Sequence, residues 1–216
     1  MPEKMSLRIT EIFYSIQGET SKIGLPTVFI RLTGCPLRCQ YCDTSYAFYG
    51  GEVMLFEDII HQVTKFNCKD VCVTGGEPLA QANSKKLLKD LADLDFQVSL
   101  ETGGSISLKE VDERVKIIMD IKTPDSGEST KNRWENLELL KQTDELKIVI
   151  CSREDYQWSK EIIEQYKISE KCPILFSPCA ESIDPRDLAE WILTDQLPIR
   201  FQMQIHKILW NNQPGR

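Results

Sequence analysis

Val28-Phe29-Ile30-Arg31-Leu32-Thr33-Gly34-Cys35-Pro36-Leu37-Arg38-Cys39-Gln40-Tyr41-Cys42 joins an apolar run to three closely spaced cysteines. The run is short, β-branched and aromatic, and reads as a strand buried on both faces. The cysteines follow at once, in C-x3-C-x2-C spacing. Burial as small apolar residues does not explain them, because Pro36, Arg38, Gln40 and Asp43 make the segment a polar loop. Three such thiolates can hold three irons of a cubic 4Fe–4S cluster, which normally takes four. The next cysteine is Cys68, so the fourth iron is left open, as a catalytic metal keeps a position for substrate or cofactor. A zinc site with a distant fourth ligand is the alternative reading of the same residues.

Working outward, the chain alternates short β-rich runs with amphipathic segments. Strands are predicted at 8–13, 27–33, 70–74, 96–101, 115–121, 145–150, 173–177 and 198–203. Helices are predicted at 56–67, with Ile59, Ile60, Val63 and Phe66 on one face, and at 84–94, with Leu87, Leu88, Leu91 and Leu94 inward behind a Ser84 cap. Two more follow at 154–166 and 185–194, the last with Asp184 as cap and Pro185 in the first turn. Alternation of this kind implies a mostly parallel α/β sheet. No G-x-G-x-x-G opens a helix, so a curved sheet or incomplete, TIM-like barrel is expected rather than a dinucleotide-binding sheet. With 216 residues and no linker, residues 1–216 read as one domain.

The polar and glycine residues collect behind the strands, where α/β proteins place ligands. The cysteine loop follows the second strand, Thr74-Gly75-Gly76-Glu77-Pro78 the third, Glu101-Thr102-Gly103-Gly104 the fourth and Lys122-Thr123-Pro124 the fifth. Ser177-Pro178 and Gln204-Ile205-His206-Lys207 follow later strands. One shared mouth is the economical explanation. Two glycines at 75 and 76 let a backbone approach a ligand closely, although an ordinary strand-to-helix turn has the same look.

A net charge of −7 argues against a broad nucleic-acid footprint, while one or two local cations suffice for a small anionic substrate. No stretch reaches the roughly 18 apolar residues of a membrane helix, and the N-terminus has no apolar signal core. A cytoplasmic location is the expectation. There the eight cysteines read as metal ligands or core rather than disulfides. Cys68, Cys72, Cys151, Cys172 and Cys179 are not set closely enough for a second cluster and read as packing or adventitious thiols. The four tryptophans read as packing residues, with Trp210 a candidate for an interface.

The cysteine loop with the Gly-Gly-Glu turn resembles the signature of radical S-adenosylmethionine (SAM) enzymes. In that superfamily the open iron chelates SAM, and one electron from the cluster cleaves the sulfonium to an adenosyl radical. The first forty-four residues narrow the likeness. Glu11-Ile-Phe-Tyr-Ser-Ile-Gln-Gly-Glu-Thr20, Gly24-Leu-Pro-Thr-Val-Phe-Ile-Arg31 and Gly34 through Thr44 resemble the 7-carboxy-7-deazaguanine synthases. The likeness continues through Glu101–Gly104, Asp120–Pro124 and Gln204–Lys207. Tyr41 stands where tryptophan is frequent. Ile208 to Arg216 do not align, so no role is carried onto Arg216, although in some relatives the C-terminal carboxylate reaches the substrate.

The resemblance implies a partial, modified TIM-like barrel of the radical SAM type. It implies a lyase that converts 6-carboxy-5,6,7,8-tetrahydropterin to 7-carboxy-7-deazaguanine with loss of ammonia, in queuosine and deazapurine biosynthesis. A 4Fe–4S cluster, SAM and magnesium would be the cofactors, a flavodoxin-like protein the reductant, and a homodimer the assembly. Cys35, Cys39 and Cys42 match the cluster ligands, and Thr44 the magnesium ligand. Ile16, Gln17, Gly18, Arg31, Thr74 and His206 match the substrate site, Arg31 facing the carboxylate. Tyr41, Cys42, Asp43, Gly76, Glu77, Glu101, Lys122–Pro124 and Ser177–Ala180 match the SAM site. Plainer readings stand beside these: Glu19 and Lys122 as solvated charges, Thr44 as a loop cap, His206 as a packed tail residue. His61 sits on a surface helix and reads as nonfunctional. The alternative enzyme reading is an activating enzyme for glycyl-radical proteins, against which Gln17-Gly18-Glu19 and Arg31 argue. A noncatalytic electron-transfer module is the alternative outside enzymes, and the Gly75-Gly76 turn argues against it.

Overall fold

The computed structural model describes residues 5–180, 182–211 and 213–215; Arg216 lies outside them. Nine strands form one sheet among the described residues, in the order β3-β1-β2-β4-β5-β6-β7-β8-β9. They are β1 (Ser6–Ile16), β2 (Pro26–Leu32), β3 (Glu52–Leu55), β4 (Asp70–Gly75), β5 (Gln97–Thr102), β6 (Lys116–Ile121), β7 (Glu145–Ile150), β8 (Ile174–Pro178) and β9 (Arg200–Phe201). From β2 onward every neighbouring pair is parallel. Only β1 runs antiparallel to its neighbours β2 and β3. The helices α1 (Phe56–Thr64), α2 (Ser84–Asp93), α3 (Arg153–Gln165) and α4 (Pro185–Thr194) alternate with the strands, and α5 (Ile205–Trp210) ends the fold. The architecture is the expected α/β one, a mostly parallel sheet curled into an open partial barrel.

The pleat sorts each strand into two sets, because successive side chains point to opposite faces. Val28, Ile30 and Leu32 of β2 join the core against the helices, as do Ile117, Met119 and Ile121 of β6 and Leu146, Ile148 and Ile150 of β7. The intervening residues face the cavity inside the sheet: Phe29 and Arg31, Ile118 and Asp120, Lys147 and Val149. A strand apolar on one face and functional on the other therefore still reads as a nearly continuous apolar run.

All eight strands expected from the sequence are present, with β9 reduced to two residues. β3 has four residues, all exposed or half-buried, too short for any periodicity to register. α5 is likewise unforeseen and buries no residue. Two local expectations fail. Ser84 is not a cap: Asn83 holds that position without a side-chain bond, and the Ser84 hydroxyl is buried without a hydrogen-bond partner among the described residues. Leu94 is 48 % exposed, because it follows the last turn of α2 and leaves the helix face. Asp184 does cap α4, accepting from the Arg186 N–H, with Pro185 in the first turn. Trp134, Trp158 and Trp191 pack against the core as expected.

Candidate active site

The cysteine loop leaves β2 and is anchored from both sides. Gly34 N–H donates to the Ala47 carbonyl at 2.8 Å, and the Gly34 carbonyl accepts from Glu77 N–H at 2.8 Å. Gly76 N–H donates to the Leu32 carbonyl at 3.1 Å. The turn after β4 is thus docked on the root of the loop. No side chain fits there, since a Cβ on Gly76 would lie 2.3 Å from the Gly34 oxygen and 2.8 Å from Cys35 Cβ. With the N–H groups of Gly76 and Glu77 engaged inside the protein, the turn presents carbonyl oxygens, which suit a donor such as an amino group.

Glu77 lies behind this turn and is fully buried. Its carboxylate accepts from Leu79 N–H at 2.9 Å, Gly103 N–H at 2.7 Å and the Thr102 hydroxyl at 2.9 Å. Burial pushes its pKa up against the pull of these donors. It ties the ends of β4 and β5 together rather than lining the cavity.

The cavity measures about 230 Å³. Of the sequence-expected residues, Ile16, Gln17, Gly18, Arg31, Cys35, Cys39, Tyr41, Cys42, Asp43, Thr44, Thr74, Gly76, Glu101, Lys122, Cys179, Ala180 and His206 line it. Glu77, Thr123, Pro124, Ser177 and Pro178 stand behind its wall. Thr123 donates its hydroxyl to the Val149 carbonyl, and Ser177 accepts from the Gln202 amide.

A chain of buried charge crosses the floor. Lys147 Nζ lies 2.8 Å from Glu19 and 3.6 Å from Asp120, and Lys122 Nζ lies 3.1 Å from Asp120. Burial opposes charge on Lys147, but Glu19 and Asp120 outweigh it and hold the ammonium well above its usual pKa. Burial likewise works against charge on Glu19, but Lys147 and the Gln204 amide prevail and lower its pKa. Gln204 donates to Glu19 at 2.6 Å. Neither Glu19 nor Lys122 is a solvated charge. Asp120 lines the cavity, and its Oδ1 is buried with no hydrogen-bond partner among the described residues.

Sequence reasoning missed Asp120 and Lys147 as cavity residues. Their signal was a charge set inside an otherwise apolar run of a parallel strand, behind the charged residue that opens it.

Arg31, which also lines the cavity, donates from Nε to Glu11 at 2.7 Å. Glu101 accepts from Thr74 at 3.0 Å and Gln17 at 3.3 Å. Ile205 N–H donates to the Gly18 carbonyl at 3.1 Å, and a Cβ on Gly18 would lie 2.0 Å from His206 Nδ1. His206 is therefore both packed on Gly18 and exposed to the cavity. Thr44 stands at the N-cap of the short helix that follows, but its hydroxyl makes no capping bond and sits 3.7 Å from Cys42 Sγ. Lys207 pairs with Asp43 at 2.7 Å, closing the tail onto the cysteine loop.

The three cysteines are not disulfide-bonded. Among the described residues no three of His, Cys, Asp and Glu converge as the ligands of one ion would. Cys35, Cys39 and Cys42 nevertheless lie close enough to act on one another's titration, and in a cubic cluster the thiolates each take a different iron. Burial pushes the Cys39 thiol up to about 11 and raises Cys35 as well. Iron must displace those protons, and its charge is what a buried thiolate lacks. Lys122 lies near enough to Cys39 to pull its pKa down against that burial. The residues present fit the cluster.

Residues 29–167 match the family model of the Radical SAM superfamily, and the chain belongs to it. Within that superfamily the match is specific. The chain is 47 % identical to the 7-carboxy-7-deazaguanine synthase of Chlorobaculum tepidum over 98 % of this chain and 97 % of that protein. It is 39 % identical to that of Koribacter versatilis over 94 % and 97 %, and 37 % identical to that of Thermoplasma acidophilum over 96 % and 99 %. The chain is a member of the 7-carboxy-7-deazaguanine synthase family. The fold agrees: QueE from Escherichia coli superposes with a TM-score of 0.77 over 93 % of this chain and 94 % of that one, at 22 % identity.

Two outcomes test this geometry. Lys147→Met leaves the buried Glu19 without its cation, while Asp120 keeps Lys122, and denaturant unfolding should show a loss of about 3–5 kcal/mol. Adding Glu19→Gln should cost less than the sum of the single changes. Gly76→Ala should push the cysteine loop outward, and iron retained per chain after anaerobic reconstitution should fall severalfold. Full iron content in that variant would contradict the docking of the two turns.

Proposed function

We propose that this chain converts 6-carboxy-5,6,7,8-tetrahydropterin to 7-carboxy-7-deazaguanine with loss of ammonia, on the route to queuosine and related deazapurines. The observation that carries the reading is one cavity holding the cysteine loop at one end and Arg31 at the other. The activating-enzyme reading loses ground on the same observation, because a cavity of about 230 Å³ that the tail helps to line suits a small molecule rather than a protein backbone.

Cys35, Cys39 and Cys42 would hold the 4Fe–4S cluster. When bound, the cluster and SAM supply a one-electron reduction that ends in removal of a hydrogen atom from the substrate. The remaining work belongs to this chain. The carbonyls of the Gly75-Gly76 turn would accept from the amino group of SAM, and Cys179 and Ala180, which line the same cavity, would help to hold it. Arg31 takes the substrate carboxylate, for which a planar double donor is better suited than a lysine. Glu101 and Thr74 meet the pterin ring's polar edge, and His206 and Gly18 close over it. Thr44 offers magnesium a hydroxyl oxygen, a hard ligand for an ion that otherwise keeps water and substrate oxygens. The Glu19–Lys147–Asp120–Lys122 chain keeps the floor charged yet nearly balanced, so its donors and acceptors stay oriented.

An external one-electron donor of the flavodoxin type and a homodimer belong to the same reading. The family likeness supports both, and Ile208 and Leu209 on α5, at 64 % and 57 % exposed, offer apolar surface for a second subunit. A cytoplasmic location is part of the reading. Among the described residues no helix is long and apolar enough to cross a membrane.

Anaerobically reconstituted protein with dithionite, SAM and carboxytetrahydropterin should yield the deazaguanine carboxylate by mass spectrometry. SAM cleavage without that product would favour the activating-enzyme reading instead. Thr44→Ala should raise the magnesium concentration needed for half-maximal rate while leaving iron content unchanged. Equal rates at every magnesium concentration would remove Thr44 from the metal site.

A further inference from the structure

Cys151 and Cys179 are far apart in the sequence and look unrelated there. The parallel register of β7 and β8 joins them. Ile150 and Pro178 are paired across the two strands, and each cysteine is the first residue after its strand. The backbone closes the step, with Cys179 N–H donating to the Ile150 carbonyl at 2.8 Å. Neighbouring strands lie about 4.8 Å apart, within the Cα separation a disulfide spans. The two side chains face each other across this step, and the Cys179 thiol is the largest cause of the upward shift of the Cys151 pKa. Ser182 also donates its hydroxyl to Cys179 Sγ, at 3.4 Å. Cys179 lines the cavity beside Ala180, while Cys151 does not. Neither is in a disulfide, and neither belongs to the cysteine loop.

We propose that Cys151 and Cys179 form a redox-active dithiol, a modification site for low-molecular-weight disulfides such as oxidised glutathione. Cys179, with the Ser182 hydroxyl donating to its sulfur, attacks one sulfur of the oxidant, and a glutathione thiolate leaves. Cys151 then displaces the second glutathione from the mixed disulfide, giving up its proton. Two protein thiols lose two electrons, and one glutathione disulfide becomes two glutathione thiols. The bond draws the Cys179–Ala180 wall toward β7. Resting on the reading of that wall as part of the SAM site, oxidation weakens SAM binding without touching the cluster ligands, which iron caps.

The test uses the reconstituted holoenzyme without oxygen, equilibrated in mixtures of reduced and oxidised glutathione, with visible absorbance recorded to show that the cluster persists. Nonreducing peptide mapping should find a Cys151–Cys179 link, and the SAM dissociation constant should rise severalfold, returning on reduction with dithiothreitol. Cys151→Ser should bind SAM as the unmodified chain does and lose the response. Cys151→Ala provides the same comparison without a hydroxyl, and Cys172→Ser should keep the full response. Absence of the link at every glutathione ratio would overturn the proposal. So would a link that leaves SAM affinity unchanged, or an undiminished response in both Cys151 variants. The peptide map does not depend on turnover, so failure of the product assay would sink the proposed reaction while leaving the dithiol standing.

Discussion

A β-strand presents alternate residues to opposite faces, and in this sheet every consequence of function follows from that period of two. The outward set is apolar and packs under four helices. The inward set carries Arg31, Thr74, Glu101, Asp120 and Lys147, each from a different strand. Because the strands are parallel and in register, these side chains arrive at neighbouring heights and at the same end as the loops. A one-residue slip in any strand would bury its charge against the helices and turn an isoleucine or leucine into the cavity. Register is thus enforced by the cost of burying an unpaired charge, several kcal/mol by general experience.

The inward charges cannot remain isolated either. Glu19, Lys147, Asp120 and Lys122 alternate in sign across the floor, each within 4 Å of the next. Their arrangement ties the first turn of the chain to β6 and β7. It also leaves Asp120 with an acceptor atom for a ligand. The cysteine loop depends on a separate fit, in which Gly34 and Gly76 approach closer than any side chain allows. Glu77 fixes the turn from behind, bonded to Leu79, Thr102 and Gly103.

How much could be read without coordinates follows from this geometry. The central strands were legible because their apolar runs are long enough to exceed chance, and the loops behind them were legible because glycine and cysteine are unusual there. β3 and α5 were not, being short and exposed, with stability drawn from docking rather than local pattern. Ser84 and Leu94 mislead at helix ends, where capping and the last turn depend on chain direction beyond the helix. Lys147 was written in the sequence as the lone charge of Leu146-Lys147-Ile148, but its partner was not. Glu19 and Lys147 are joined only by the closing of the barrel. The pairing of Cys151 with Cys179 is hidden for the same reason.

The central claim is that this loop holds a cluster with one iron left for SAM. Mössbauer and electron paramagnetic resonance spectra of anaerobic, reconstituted protein address it directly. One iron should be distinguishable from the other three, and the reduced signal should shift when SAM is added. Four equivalent irons, or a spectrum indifferent to SAM, would contradict it.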